Sequence, residues 1–410
     1  MPGARVHANP GRIRLMPATV ALTRRQEPPV LAGAGIVSFA VDRWTDVPRC
    51  RHHVMSRLAR RNCVLFTTPP WHLRDALLMG RDEVAGLSRV ADNLYTYAPP
   101  RWLPYSYRFP RFNKYALRAR SHLLMQTARR LGIDRPIVYI WHPLFADVIG
   151  QLDEQLVVYH CYDEYSAFAG ADRAQVQDAE ARILEAADLV LTVSEGLHAR
   201  KRRHNPNTYL VRNGVDYPLF AAAQDPATEV PADLASIRGP IVGCVTRIVP
   251  EYFDAALLTK VFAARRDWSL VVIGPECSPS RELAGLAALP NVHLLGRRAF
   301  TDLPSYLKAF DVCLIPYVLT ENKQLADPLK LYEYLAAGKP VVSKPIAGLA
   351  DFADVVALAS DAGEWMAAIE TAMRTDSPDA VQRRQALARE HTWDGRVELI
   401  SELVARALTG

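Results

Sequence analysis

Residues 327–342 read DPLKLYEYLAAGKPVV. Asp327 is a residue type that caps helices, and Pro328 suits a first helical position. Gly338 suits the turn that ends a helix, and Pro340 prevents continuation. The spacing therefore predicts a helix running directly into a short strand, KPVVS. Within that helix Lys330 lies in the first turn, where the backbone dipole already carries partial positive charge and disfavours a cation. Glu333 follows on the same face. One reading is a solvated lysine–glutamate pair. The other is an anion site, in which free backbone N–H groups and the Lys330 ammonium hold a phosphate and the Glu333 carboxylate accepts hydrogen bonds from vicinal hydroxyls such as a ribose diol.

Short apolar runs alternate with helical patterns on both sides of this stretch. In the first half, AGIVSFAV (34–41), NCVLFTTPP (62–70), IVYIWHP (137–143), QLVVYHCYD (155–163), DLVLTVSE (188–195) and TYLVRNGVD (208–216) have the length and composition of buried strands, with helices over 51–60 and 172–187. In the second half the series is PIVGCVTR (240–247), WSLVVIGPE (268–276), NVHLLGR (291–297), DVCLIPY (311–317), KPVVSKP (339–345) and VVALA (355–359), closing with a helical stretch over 380–408. Alternation of this kind predicts parallel sheets wound with helices on both faces. Two such α/β sheets in tandem give two Rossmann-like domains facing each other across a cleft, with ligands expected at the carboxyl ends of the strands. The expected division is 1–33 as a disordered or extended segment, 34–220 and 239–385 as the two domains, 221–238 as a linker, and 386–410 as a terminal helix.

The bulk numbers suit a globular chain with sizeable cores. Of 410 residues, 50% are hydrophobic and 23% charged. The net charge of +5 conceals an asymmetry: residues 1–220 carry 30 Lys+Arg and 20 Asp+Glu (+10), leaving 19 and 24 (−5) for residues 221–410. The six cysteines form no Cys-x-x-Cys pair, which argues for reduced thiols and against a disulfide framework or zinc site. The basic, proline-rich start lacks the long apolar core of a signal peptide, and no apolar run is long enough to span a bilayer.

The run GRRAFTDLPSYLKAFDVCLIPY, followed by ADPLKLYEYLAAGKPVV, resembles the C-terminal domain of GT-B glycosyltransferases of the glycosyltransferase 1/4 type. The similarity is strong over 240–345 and diffuse elsewhere in 35–405. It points in particular to divergent bacterial enzymes of surface-polysaccharide assembly, including teichuronic-acid-type and xanthan-type glucuronosyltransferases. The resemblance implies that the second domain binds a nucleotide diphosphate sugar, with Lys330 on the diphosphate and Glu333 on the ribose, and that the first domain binds the acceptor. It also implies donor contacts for Arg247 and the segment of Arg297, whose side chain is alternatively solvated, and a return of the terminal helix to the first domain. Gly274 ends a strand, where glycine lets a donor approach the backbone or simply turns the chain; Tyr317 lines the same pocket or packs in the core.

The sequence departs from the family pattern twice. Common members carry a glutamate eight residues before the motif glutamate, where this chain has Leu325; Glu321 is a weak substitute. They also carry a lysine where TRIVPEYFD has Tyr252, which leaves Arg247 and Lys330 to share the phosphate charge. In the first domain, VVYHCYDEYSAF places Asp163 and Glu164 at a strand's carboxyl end. The resemblance favours Asp163 as the base that deprotonates the acceptor hydroxyl, with Glu164, His160 and His142 as further candidates; both acids alternatively just begin a helix. Asp46 and Arg49, after the first strand, are candidate acceptor-binding residues, while Ser194, Asn213 and Gly214 are expected to shape turns.

Residues 101–130 hold eight Arg/Lys, six aromatics and no acid, a mixture suited to an anionic lipid surface. No nucleic-acid motif accompanies it. Together these features lead to the expectation of a cytoplasmic, peripheral enzyme on the inner membrane face. It would move a sugar from a UDP- or GDP-sugar to a lipid-linked or polysaccharide acceptor without an essential metal or other cofactor. The alternatives are a sugar-nucleotide epimerase or hydrolase, and a degenerate nucleotide-sugar-binding subunit.

Overall fold

The computed structural model describes residues 30–44, 47–73, 86–105 and 110–410. The segment 1–29 and Asp46 lie outside the described residues. The first sheet holds β1 (Gly35–Phe39), β2 (Cys63–Thr67), β3 (Gly86–Ala91), β4 (Leu94–Ala98), β5 (Ile137–Ile140), β6 (Leu156–Cys161), β7 (Leu189–Thr192) and β8 (Thr208–Leu210), in the order β3-β4-β2-β1-β5-β6-β7-β8. The second holds β9 (Ile241–Val245), β10 (Ser269–Ile273), β11 (Val292–Gly296), β12 (Val312–Ile315), β13 (Val341–Ser343) and β14 (Val356–Leu358), in the order β11-β10-β9-β12-β13-β14.

Every pairing is parallel except β3 with β4. Buried parallel strands are apolar on both faces, and β5, β6, β7, β9, β10 and β12 are buried along their whole length. The antiparallel β3–β4 edge hairpin was not expected from the sequence, because GLSRVA in β3 is almost wholly exposed and lacks a buried face. Strand order reverses at β1/β5 in the first sheet and at β9/β12 in the second. Those two reversals open crevices at the strands' carboxyl ends, where ligands bind in such folds.

The chain crosses between domains twice, and the crossings touch. Val215 and Thr392 pair as an isolated parallel bridge, with Val215 N–H donating to the His391 carbonyl at 2.9 Å and Trp393 N–H to the Val215 carbonyl at 3.1 Å. Val215, Phe220 and Ala223 already pack in the core of the second domain, and the region 221–238 contains the short helix Ala232–Ala235, whose Leu234 packs there too. The helical stretch expected over 380–408 is two helices. Pro378–Arg389 stays with the second domain, where Ala388 joins its core. Trp393–Thr409 returns to the first and packs Trp393, Val397, Ile400 and Val404 into its core.

The anchor of that return is Trp393, which is 3% exposed and stacks on His53 at 4.9 Å between centroids. Trp393→Ala is expected to destabilise the protein by about 3–5 kcal/mol, the usual cost of truncating a buried aromatic. Urea unfolding followed by tryptophan-independent far-ultraviolet dichroism checks this.

Candidate functional site

The helix of the opening stretch runs from Leu329 to Ala336. It differs from the sequence expectation at its start. Pro328 occupies the capping position and no side chain caps the helix. Asp327 is instead buried, its carboxylate accepting from Asn213 N–H at 2.7 Å and from the Tyr332 hydroxyl at 2.7 Å. A long-range partner therefore took the residue that local sequence assigned to the cap. At the other end Gly338 N–H donates to the Leu335 carbonyl and Lys339 N–H to the Tyr334 carbonyl, which closes the helix as a Schellman turn.

Lys330 and Glu333 project from this helix as an ion pair, Nζ to Oε2 at 2.7 Å. Burial raises the Glu333 pKa and the neighbouring ammonium opposes that rise. Tyr334 ties the helix to β9 by accepting from Val245 N–H at 2.8 Å. Two residues past Val245, Arg247 is exposed. Gly274 ends β10 at φ 145°, where an added Cβ would collide with the Thr246 carbonyl, so the β9 and β10 ends approach through glycine alone. Tyr317 follows β12, and burial lifts its hydroxyl pKa, with Asp163, Cys244 and Glu333 adding to the rise. Arg297 is exposed beyond β11, whereas Arg298 is engaged with Asp233 at 2.8 Å and Tyr306 at 2.7 Å.

Across the cleft, Asp163 follows β6. Burial raises its pKa, and Lys323, Asn322, Arg51 and Arg49 pull it back. Glu164, its neighbour, is buried and committed elsewhere: it meets Lys201 at 3.2 Å and Arg200 at 3.3 Å, and accepts from Ser166 at 3.0 Å. His160 is buried within the first domain, with Nδ1 2.8 Å from the Tyr139 hydroxyl and the ring stacked on Trp141; burial lowers its pKa to about 3. His142 caps a 3-10 turn by accepting from Leu144 N–H at 3.0 Å. Arg49 pairs with Asp42 at 2.7 Å; burial lowers its pKa, and the charge of Arg247 lowers it further.

Residues 320–327 span the cleft, a feature no local sequence signal carries. Glu164 N–H donates to Asn322 Oδ1 at 3.1 Å, and Ser194 Oγ donates to the Leu325 carbonyl at 2.6 Å. Glu321 pairs with Arg200 at 2.9 Å and Arg173 at 3.1 Å. Leu325, at the position where the resemblance leads one to expect a glutamate, lies so close over Gly196 that a Cβ there would strike it. Leu325 also packs against the core of the first domain. That position is thus an apolar interdomain contact. Among the described residues no group of three His, Cys, Asp or Glu side chains is placed to hold a metal ion.

This architecture, with its cleft-facing cations, is the GT-B fold. Residues 239–375 match the family described as "Glycosyl transferases group 1". A 200-residue region is 30% identical to "Putative teichuronic acid biosynthesis glycosyltransferase TuaH" of Bacillus subtilis (strain 168), covering 45% of this chain and 49% of that protein. The match thus spans about half the length of that relative. Among solved structures, the sucrose-phosphate synthase of Thermosynechococcus elongatus superposes with a TM-score of 0.65 at 19% identity, covering 92% of this chain and 99% of that one. Anabaena HepE, in complex with UDP and glucose, superposes with a TM-score of 0.63 at 15% identity, covering 92% and 100%.

The seat of Asp327 generates a stability test. Asp327→Ala leaves the buried Asn213 N–H and Tyr332 hydroxyl without their acceptor, and is expected to cost about 2–4 kcal/mol in urea unfolding. Burial moves the Asp327 pKa up from 3.8 to about 6. The native state then holds the proton more tightly than the unfolded chain, so this group's contribution to stability falls as pH rises from about 4 to about 6. Asp327→Asn is expected to flatten that part of the stability–pH curve.

Proposed function

We propose that the protein transfers a hexosyl or uronosyl group from a nucleoside diphosphate sugar to a saccharide or lipid-linked acceptor in surface-polysaccharide synthesis. The observation that carries this reading is the uncapped N-terminus of the 329–336 helix, with Lys330 in its first turn and Glu333 one turn on, tied through Tyr334 to β9, two residues beyond which lies the exposed Arg247. Free N–H groups and two cations suit a diphosphate, and a carboxylate one turn away suits a ribose diol. UDP, the nucleotide bound to HepE, is the first donor base to try, with GDP second.

In the transfer itself Asp163 accepts the proton of the acceptor hydroxyl as that oxygen attacks the anomeric carbon. The bond from that carbon to the diphosphate breaks, and its electron pair leaves with the diphosphate. Arg247, Lys330 and the helix N-terminus stabilise the departing charge, so we read the reaction as independent of an essential metal. A base must be deprotonated to act, and burial raises the Asp163 pKa above its ordinary 3.8. The rate is therefore expected to fall as pH drops through that raised value. Glu164 and His160 have no part in this mechanism: one is held by Lys201 and Arg200, the other is enclosed by Tyr139 and Trp141.

The two roles separate experimentally. Lys330→Ala is expected to weaken donor affinity about 10–100-fold, the worth of one charge-assisted contact. Asp163→Asn is expected to reduce kcat about 10²–10⁴-fold while donor affinity stays within about threefold. Full activity in either variant removes that residue from its role. Release of nucleoside diphosphate without acceptor would identify a hydrolase, and tight donor binding with no turnover a binding subunit.

We also propose that the helix Pro110–Arg130 faces an anionic membrane. Trp102 and Tyr115 are 71% and 70% exposed, and Phe112, Lys114 and Arg118 are exposed beside them. Arg120 is the exception: it is buried and donates to the Leu103 and Pro104 carbonyls at 3.0 and 3.1 Å, tying the two parts of the stretch together. No helix among the described residues is long and apolar enough to cross a membrane. Vesicles containing anionic lipid are expected to bind the protein at low salt, and Lys114→Glu with Arg118→Glu to weaken binding by about 1 kcal/mol per residue or more. Absence of binding at low salt contradicts this.

A further inference from the structure

Lys323 carries no local signal that singles it out. It follows Asn322 on the short helix Glu321–Gln324, which Thr320 caps by accepting from Lys323 N–H at 3.3 Å. Asn322 is bolted to the first domain through the Glu164 backbone. With that residue fixed, the Lys323 side chain turns back over the second domain. Its ammonium lies 4.6 Å from the Tyr252 ring centroid and 4.9 Å from that of Tyr317, and its charge acts on Asp163 across the cleft.

The charge balance of the cleft is uneven. Arg49 has Asp42 and Lys330 has Glu333, each at 2.7 Å. Among the described residues no carboxylate lies within 4 Å of either Arg247 or the Lys323 ammonium, and no oxygen accepts a hydrogen bond from the Lys323 ammonium. Three ammonium hydrogens held between two aromatic faces are satisfied by neither face, since a ring offers electrostatic attraction without a lone pair. A half-buried cation of this kind favours an anion with several acceptor oxygens.

We propose that Lys323 is a third diphosphate-binding cation of this site, in addition to Arg247 and Lys330, delivered from the segment 320–327 and supported on the Tyr252 ring. This rests on the reading of the cleft as a nucleoside diphosphate sugar site. Lys323 adds its charge to those of Arg247 and Lys330 on the diphosphate, and Tyr252 is the platform that supports its ammonium. Because Asn322 holds the same short helix against Glu164, donor binding and interdomain docking are coupled through adjacent residues.

Calorimetric titration of the full-length protein with UDP, GDP, uridine and guanosine tests the assignment in wild type, Lys323→Met, Lys323→Gln and Lys323→Met/Tyr252→Lys, with thermal melting to confirm that each variant is folded. The expected result is a loss of about 10–100-fold in diphosphate affinity in both single variants, little change in nucleoside affinity, and partial recovery in the double variant. Diphosphate affinity within about twofold of wild type in Lys323→Met would overturn the assignment and leave Lys323 as a counter-charge to Asp163, while the donor-site reading stands. Wild-type protein that binds none of these at millimolar concentration would overturn the donor-site reading, and this assignment with it.

Discussion

The seating of residues 321–327 on the first domain is the contact on which the geometry of the cleft depends. Three buried or half-buried hydrogen bonds, from the Glu164 backbone, the Ser194 hydroxyl and the Asn213 backbone, fix Asn322, Leu325 and Asp327 in turn. Each is worth about 1 kcal/mol net, and far more would be lost if one partner were removed. The Glu321 pairs with Arg173 and Arg200 are exposed and contribute less than about 1 kcal/mol each. Leu325 over Gly196 adds apolar burial worth up to about 2 kcal/mol. The buried terms outweigh the surface charges, so the docking should survive added salt.

That seating explains why the site's groups face one another. The segment leads directly into the 329–336 helix, so fixing Asp327 fixes the start of the helix and the direction of Lys330. Tyr334 joins the same helix to β9, and hence to Arg247. On the far side, Arg49 and Asp163 follow strands of the first sheet whose carboxyl ends meet those of the second. The touching crossings at Val215 and Thr392 and the hydrogen bonds to residues 322–327 together hold the two domains against each other.

Much of this was legible in the sequence, for a physical reason. Parallel strands buried on both faces must be short continuous apolar runs, and PIVGCVTR or DVCLIPY admit little else. Gly338 and Pro340 marked the helix end correctly because a Schellman turn is a local event. The β3–β4 hairpin was hidden because an exposed edge strand such as GLSRVA carries no apolar pattern. Asp327 misled for the opposite reason: Asp-Pro before a helix is a strong local cap signal, and Asn213, more than a hundred residues away, outcompeted it. Lys323 had no signal at all, since its meaning comes from Tyr252, Tyr317 and Asp163, which only the folded chain brings around it.

We read the cleft between the two sheets, at the N-terminus of the 329–336 helix, as built for a nucleoside diphosphate. A crystal structure of the protein grown with UDP, and in parallel with GDP, tests it most directly. The diphosphate is expected against the backbone N–H groups at Leu329 and Lys330, within reach of Arg247, with the ribose hydroxyls on Glu333. A nucleotide bound elsewhere, or a Lys330–Glu333 pair left closed beside a nucleotide that never touches it, would contradict the account and return that pair to the surface of an ordinary helix.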